Sequence, residues 1–576
     1  MKSESSIEVP IQLEIIRGDG VDERTVLVPG ALATTLSETI VIDVNVHPLG
    51  SIVVRFRIPC GRSWHLSHRR ELVACTSRSN QPPFPVGCFL LVRTHQDRLW
   101  QIDYRHISQL TVKQTKSALV GEFIVQMTGS CGLLSHGIDK FRPSAQSVTI
   151  AMDIHPLESR KECLWLEPYP EGAPAAVCLT DHPDFDTVAN TTPLVDLFID
   201  HQVRLTKGVF PVSAEYDGVT VGGMDDSAYR SQMERLHETG SELALHSFGP
   251  LKECPPVDEC RRRCERLERY QSTTWIDHSI GKYLLTREAR LPDGTDLVSF
   301  LNDFGVRNFW AYHDVWYNPF GKLNIFEPRY WHDYSSDLVR GLSRVDGSMR
   351  SRRRFGYQVA HVLKNIVGNH GYVELVQRPG QLKTWSDLYR QSSQTRALRK
   401  NALCIYDFRG CGWSCGVSEN WLFDTMMLSH LAVQLREDAL ELLVDSSGLL
   451  LGHTYLTVTR GYIGSNAIST EYGRPVVTEG FRRGVECLGN LQSQRKLVTL
   501  SFAELRSVLE RFSSARLKKD RNGWQVENLG DGPVWIGGPA VIDNQTAEGA
   551  YKTAFGQTCR EIGANQTADI RISGCG

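Results

Sequence analysis

Apolar residues recur along this chain in two rhythms. Up to about residue 165 they form short β-type runs, Ile11–Ile16, Glu38–Val44, Ser51–Arg57, Phe89–Arg93 and Val120–Val125, separated by turn residues and with hardly any helical spacing. Strands at such intervals predict a β-sandwich. From about Leu166 apolar strand runs alternate with stretches whose apolar residues return at helical intervals, and β-type runs resume near Gly523–Asn528. The expected fold is multidomain α/β plus β. It comprises a β-sandwich over 1–165, a deformed (β/α) barrel over 166–515 with an insertion at about 315–401, and a small β-module over 516–576.

Within the barrel region several apolar runs end in ionisable residues. Ala175–Leu179, introduced by Pro174, breaks into Asp181, His182, Asp184 and Asp186. Three carboxylates and an imidazole so close together suit a divalent cation or a carboxylate base beside one, and they equally suit an Asx-rich turn capping the next helix. A helix from Thr192 to Asp200 and a strand from Lys207 to Val212 complete a strand-helix-strand unit. A second helix, Tyr229 to Thr239, stops at Gly240 and feeds the strand Glu242–His246. Further runs end at Asp277 and His278, at Tyr312, His313 and Asp314, and at His453, which follows an apolar helix expected from about Leu422 to Asp445. A barrel collects such strand ends at one rim. His278 reads as a ligand or as a structural histidine; Tyr312, His313 and Asp314 read as a cleft lining or as the packed end of a core strand.

The stretch Leu236-His-Glu-Thr-Gly-Ser-Glu-Leu-Ala-Leu-His-Ser-Phe-Gly-Pro250 resembles the second motif of the polysaccharide deacetylases, the NodB-like carbohydrate esterases of family 4. In that family a strand ending in Thr-Phe-Asp-Asp-Gly precedes a helix, Gly-His-Glu-Ile-Gly and then His-Ser/Thr-x-x-His. His246 matches the first histidine of that last element. Pro250 stands where the second would fall, and Thr180-Asp-His-Pro-Asp184 replaces the first motif with similar chemistry at a different spacing. Leu450-Leu-Gly-His453 fits the family's closing Leu-x-x-His. The resemblance covers roughly residues 170 to 510. It implies a metal held by Asp184, His246 and, as replacement for the lost histidine, His278, with His182 competing with Asp184 for a place. It further implies Asp181 as base and His453 as acid toward the departing amine.

Composition narrows the function classes. The 576 residues are 41% hydrophobic and 23% charged with a formal net charge of −2, which argues against a nucleic-acid binder driven by bulk charge. Neither a signal-peptide core nor a membrane-spanning run of apolar residues occurs, so a soluble, cytoplasmic protein is expected. In that setting the 15 cysteines read as reduced, mostly buried thiols, and the sequons at Asn190, Asn544 and Asn565 carry no glycosylation meaning. Cys254, Cys260 and Cys264 lack the Cys-x-x-Cys spacing of a zinc site and read as part of an amphipathic helix, Val257 to Tyr270. The insertion, with its aromatics and the run Arg350–Arg354, reads as a lid or as a solvated helical face.

The function these readings imply is a metal-dependent hydrolase, zinc being the expected ion, that removes N-acyl groups, N-acetyl above all, from an amino-sugar glycan. Two alternatives stand beside it: an amide hydrolase of the same superfamily acting on a small non-sugar substrate, and a catalytically inactive carbohydrate-binding relative.

Overall fold

The computed structural model describes residues 11–17, 20–28, 38–46, 51–66, 70–77, 89–105, 110–126, 146–167, 169–216, 218–250, 253–277, 290–310, 314–315, 421–422, 425–427, 431–445, 449–458, 467–520, 523–539, 550–552 and 558–571. His278, Tyr312, His313 and nearly all of the 315–401 insertion lie outside these residues. The fold is mixed α/β, with one large parallel sheet and several antiparallel ones.

Every strand expected before residue 165 is present. Gly20–Val28, Ile11–Arg17, Ser51–Pro59, Ala118–Gln126 and Leu110–Gln114 form one antiparallel sheet in that order. Glu38–Val46, Gln146–Leu157, Leu99–Arg105, Phe89–Arg93, Arg62–Leu66 and Leu72–Ala74 form a second. Gly121 faces Phe56 across the first sheet, and a Cβ at this glycine would run into the Phe56 ring. That close approach explains why a strand interior tolerates the residue least suited to it.

The parallel sheet is a half-barrel built from β1 (Ala175–Asp181), β2 (Thr206–Val209), β3 (Glu242–His246), β4 (Thr274–Ile276), β5 (Asn308–Trp310), β6 (Asp314–Val315), β7 (Trp421–Leu422), β8 (Thr425–Met427), β9 (Leu449–Thr454) and β10 (Leu497–Thr499). Their order is β6-β8-β9-β1-β2-β3-β4-β5-β7, with β10 pairing β1 as well. All residues of β1, β3 and β9 are buried, as expected of parallel strands covered on both faces. Helices α1 (Val188–Asp200), α2 (Ser227–Glu238), α3 (Val257–Glu268), α4 (Leu297–Asp303), α5 (Leu431–Gln434), α6 (Glu437–Asp445), α7 (Glu479–Ser493) and α8 (Phe502–Ser514) intervene. The first of these begins earlier than its apolar rhythm suggests, because Thr187 and Asn190 form a capping box. Asn190 also donates to the Phe185 carbonyl at 2.8 Å.

The long helix expected from Leu422 to Asp445 is absent. Among its described residues Leu422 belongs to β7, Thr425–Met427 form β8, and the helical pieces are the short α5 and α6. An apolar run fits a buried strand or a helix equally well, and here the sheet decides: Met426 and Met427 pair with Gly452 and His453 of β9.

A second core joins the two ends of the chain. Trp64, Phe89, Trp165, Leu166, Trp524 and Ile536 belong to one buried cluster, and Trp165–Glu167 pairs antiparallel with Val534–Gly537. The Trp524 indole, fully enclosed, donates to the Glu162 carbonyl at 2.6 Å. Deleting residues 515–576 should therefore uncover Trp64, Trp165 and Leu166, and the truncated chain should bind 8-anilinonaphthalene sulfonate strongly where the intact chain does not. Equal, low dye fluorescence in both would show that the N-terminal sheets complete their core alone.

Candidate metal centre

The site is assembled at the C-terminal end of β1. Parallel pairing along Ala176–Asp181 sets His453 of β9 beside Thr180 and Thr454 beside Asp181. His182, the next residue, donates its backbone N–H to the Thr454 carbonyl at 3.0 Å. Its ring stacks on that of His453 with centroids 4.1 Å apart. Trp310, closing β5, stands edge-on to both rings at 4.5 and 4.7 Å, and Tyr455 completes the enclosure. His246, closing β3, meets His182 at 4.7 Å between centroids and is followed by Ser247 in the left-handed region at φ 51°. A non-glycine residue held there stores backbone strain beside the imidazole.

Among the described residues His182, Asp184 and His246 form a cluster able to hold a cation, each offering an atom within 4.8 Å of the others. The Asp184 Oδ2 lies 3.9 Å from His182 Nδ1 and 3.6 Å from His246 Nε2. Two donors about 2.1 Å from a tetrahedral ion stand roughly 3.4 Å apart, so the two Asp184 separations come within about 0.5 Å of an ion's demands. Two imidazoles and a carboxylate are also a set that suits zinc. His182 and Asp184, expected as rivals for one place, stand side by side. The strand ends at Asp181, and a turn closed by Asp186 N–H on the Pro183 carbonyl at 3.0 Å brings both side chains to one side.

Asp181 is placed differently from its expected part as base. Its carboxylate pairs with Lys207 of β2 at 2.5 Å and accepts from Leu456 N–H at 2.8 Å and the Thr454 hydroxyl at 3.2 Å. It lines a small cavity with Leu194 and Phe198 of α1 and Met233 of α2. That is the helix-covered face of the sheet, reached because neighbouring strand residues point to opposite sides. The residue expected as base is thus paired with Lys207 and stands outside the cluster of His182, Asp184 and His246.

Lys207 is the residue that sequence reading missed. Its ammonium, almost wholly enclosed, also pairs with Asp186 at 2.7 Å, and Asp186 accepts from the Tyr229 hydroxyl at 2.7 Å and the Thr457 hydroxyl at 2.9 Å. Burial works to lower the Lys207 ammonium, but the two carboxylates overcome it and hold it above the ordinary lysine value. Burial pushes the Asp181 carboxyl up to about 6, opposed by Lys207 and reinforced by the charge of Asp186. The Tyr229 phenol is raised by burial and by Asp186, and stays protonated. The single sequence signal was a lysine opening an apolar strand, which resembles an ordinary surface position.

Of the other expected residues, Asp314 is described through its backbone, paired with Thr425. No family model matches the chain, and no curated protein does. Among solved structures, a Kfla1895 variant in complex with cyclobis-(1->6)-alpha-nigerosyl is 10% identical, covers 99% of this chain and 92% of its own, and has a TM-score of 0.25. A variant of a Glycoside Hydrolase Family 97 enzyme from Pseudoalteromonas sp. strain K8 is 9% identical, covers 53% of this chain and 58% of its own, and has a TM-score of 0.19. TM-scores this low establish no common fold.

Replacing Lys207 should leave two buried carboxylates without their cation. Lys207→Met is expected to cost about 3–5 kcal/mol in chemical denaturation, the usual consequence of breaking a buried pair on one side. Adding Asp181→Asn and Asp186→Asn should recover much of that loss; a triple variant no more stable than the single one would show that charge is not what the lysine provides.

Proposed function

We propose that this protein is a metal-dependent hydrolase that removes N-acyl groups, N-acetyl in the first instance, from an amino-sugar glycan. The observation that carries the reading is the gathering of His182, Asp184 and His246, from the ends of two parallel strands, into one buried cluster. The similarity of Leu236–Pro250 and Leu450–His453 to deacetylase motifs supports it, since both histidines so picked out lie at strand ends beside His182. In the same reading the parallel strands close into a seven-membered barrel. β5 and β6 fall within residues 308–315 and β7 and β8 within 421–427, so the pairs β5–β7 and β6–β8 lead from β4 round to β9.

His182, Asp184 and His246 would hold the cation, zinc by the character of the donors. Such an ion supplies Lewis acidity toward the acyl oxygen. His453, stacked on His182, is the proposed proton donor to the departing amine. Trp310 and Tyr455 wall the two imidazoles and exclude water from their faces. Lys207, through Asp181 and Asp186, keeps the intervening ligand loop in register.

Zinc-loaded protein should release acetate from oligomers of N-acetylglucosamine and lose that activity on exhaustive chelation. His246→Ala should lower bound metal with the fold retained, while His453→Ala should keep the metal yet turn over about 10²–10⁴-fold more slowly. Hydrolysis of small cyclic amides with no acetate from any sugar would transfer the assignment to the small-substrate amide hydrolase. Stoichiometric metal in His246→Ala would remove that residue from the ligand set.

A further inference from the structure

Cys254 and Cys260 do not belong to the cluster of His182, Asp184 and His246. Their sulfurs are 3.8 Å apart. Cys254 is partly exposed just ahead of α3, whereas Cys260 is fully buried in that helix's first turns. Between them Pro255 and Pro256 stiffen the approach, and Cys260 Sγ is fixed against the Pro255 carbonyl at 3.3 Å. A disulfide requires the sulfurs to close to about 2.0 Å, a shift that side-chain rotation can supply where the backbone already holds them in contact.

The two thiols also differ in the way a reactive pair requires. The Cys254 thiol is drawn below its ordinary value by the hydrogen bond with Cys260 and, against its partial burial, by the Arg263 guanidinium. Cys260 is driven far upward by the same hydrogen bond and by burial. A thiolate is the attacking species in exchange, so the accessible sulfur is the nucleophile and the enclosed one is placed to resolve.

We propose that Cys254 and Cys260 form a reversible disulfide site that reacts with low-molecular-weight disulfides of the glutathione class. In the first step the Cys254 thiolate attacks one sulfur of the reagent, forming a mixed disulfide and releasing one thiolate, which takes up the proton lost from Cys254. In the second, Cys260 gives up its proton, attacks the Cys254 sulfur and displaces the second reagent thiol. The sum is a protein dithiol and one reagent disulfide giving a protein disulfide and two reagent thiols, so two electrons pass from protein to reagent. Access is needed only at Cys254, since its partner attacks from beneath. Cys264, one helical turn beyond Cys260, is raised by burial and the nearby Glu265 and Glu268, and takes no part.

Trypsin, cutting after Lys252 and Arg261, releases both cysteines in the single peptide Glu253–Arg261. Full-length protein should be incubated with oxidised glutathione, alkylated, digested and analysed by mass spectrometry. The expected peptide is unalkylated, two hydrogens lighter than the dithiol, and restored by dithiothreitol; Cys264→Ser should give the same result. Cys260→Ser should instead accumulate a glutathione adduct on Cys254. A wild-type peptide carrying two alkyl groups after oxidant treatment would overturn the proposal, as would a persistent glutathione adduct with Cys260 alkylated.

Discussion

The constraint on which the site depends is the burial of one ammonium group between two carboxylates. Lys207 holds Asp181 and Asp186 at 2.5 and 2.7 Å, and the loop carrying His182 and Asp184 lies between those two aspartates in sequence. Because the pair is enclosed, its members cannot exchange protein partners for water, and each unmet charge would be expensive. The remaining oxygens are met by Thr454 and Leu456 after β9, by Thr457, and by Tyr229 on α2. One network on the helix side of the sheet therefore fixes β1, β2, the end of β9 and α2 together.

His182 and Asp184 inherit their positions from that arrangement. Between the two anchored aspartates only a short turn is free to vary, and Pro183 stiffens it further. Gly208, next to Lys207, lets this turn come close: a Cβ there would lie 2.9 Å from the Asp181 carbonyl and 3.1 Å from Pro183 Cδ. His246 and His453 reach the same point from β3 and β9, as parallel strands bring their C-terminal ends to one rim. The Lys207 network and the His182, Asp184 and His246 cluster thus flank one strand end.

Much of this was legible in the sequence, because strand ends marked by ionisable residues need only a periodicity change to be seen. Ala175–Asp181, Glu242–His246 and Leu449–Thr454 emerge where the apolar runs stop. The facing of Asp181 was hidden, since alternation predicts opposite sides for Asp181 and His182 without saying which is which. Lys207 escaped notice because its partners are distant in sequence or precede it on another strand. The stretch 422–445 was misread for a different reason: the same apolar residues serve a strand when a sheet has a place for them. The joint core of Trp165 and Trp524 is long-range, and no local pattern announces it.

The central claim is that one cation sits among His182, Asp184 and His246. The most direct measurement is anomalous diffraction from zinc-loaded crystals, recorded on both sides of the zinc absorption edge. The account predicts one strong edge-dependent peak about 2.0–2.2 Å from a nitrogen of each of the two histidines and from an Asp184 oxygen. A fully loaded protein whose peak lies elsewhere, or whose three side chains turn away from it, would contradict the account.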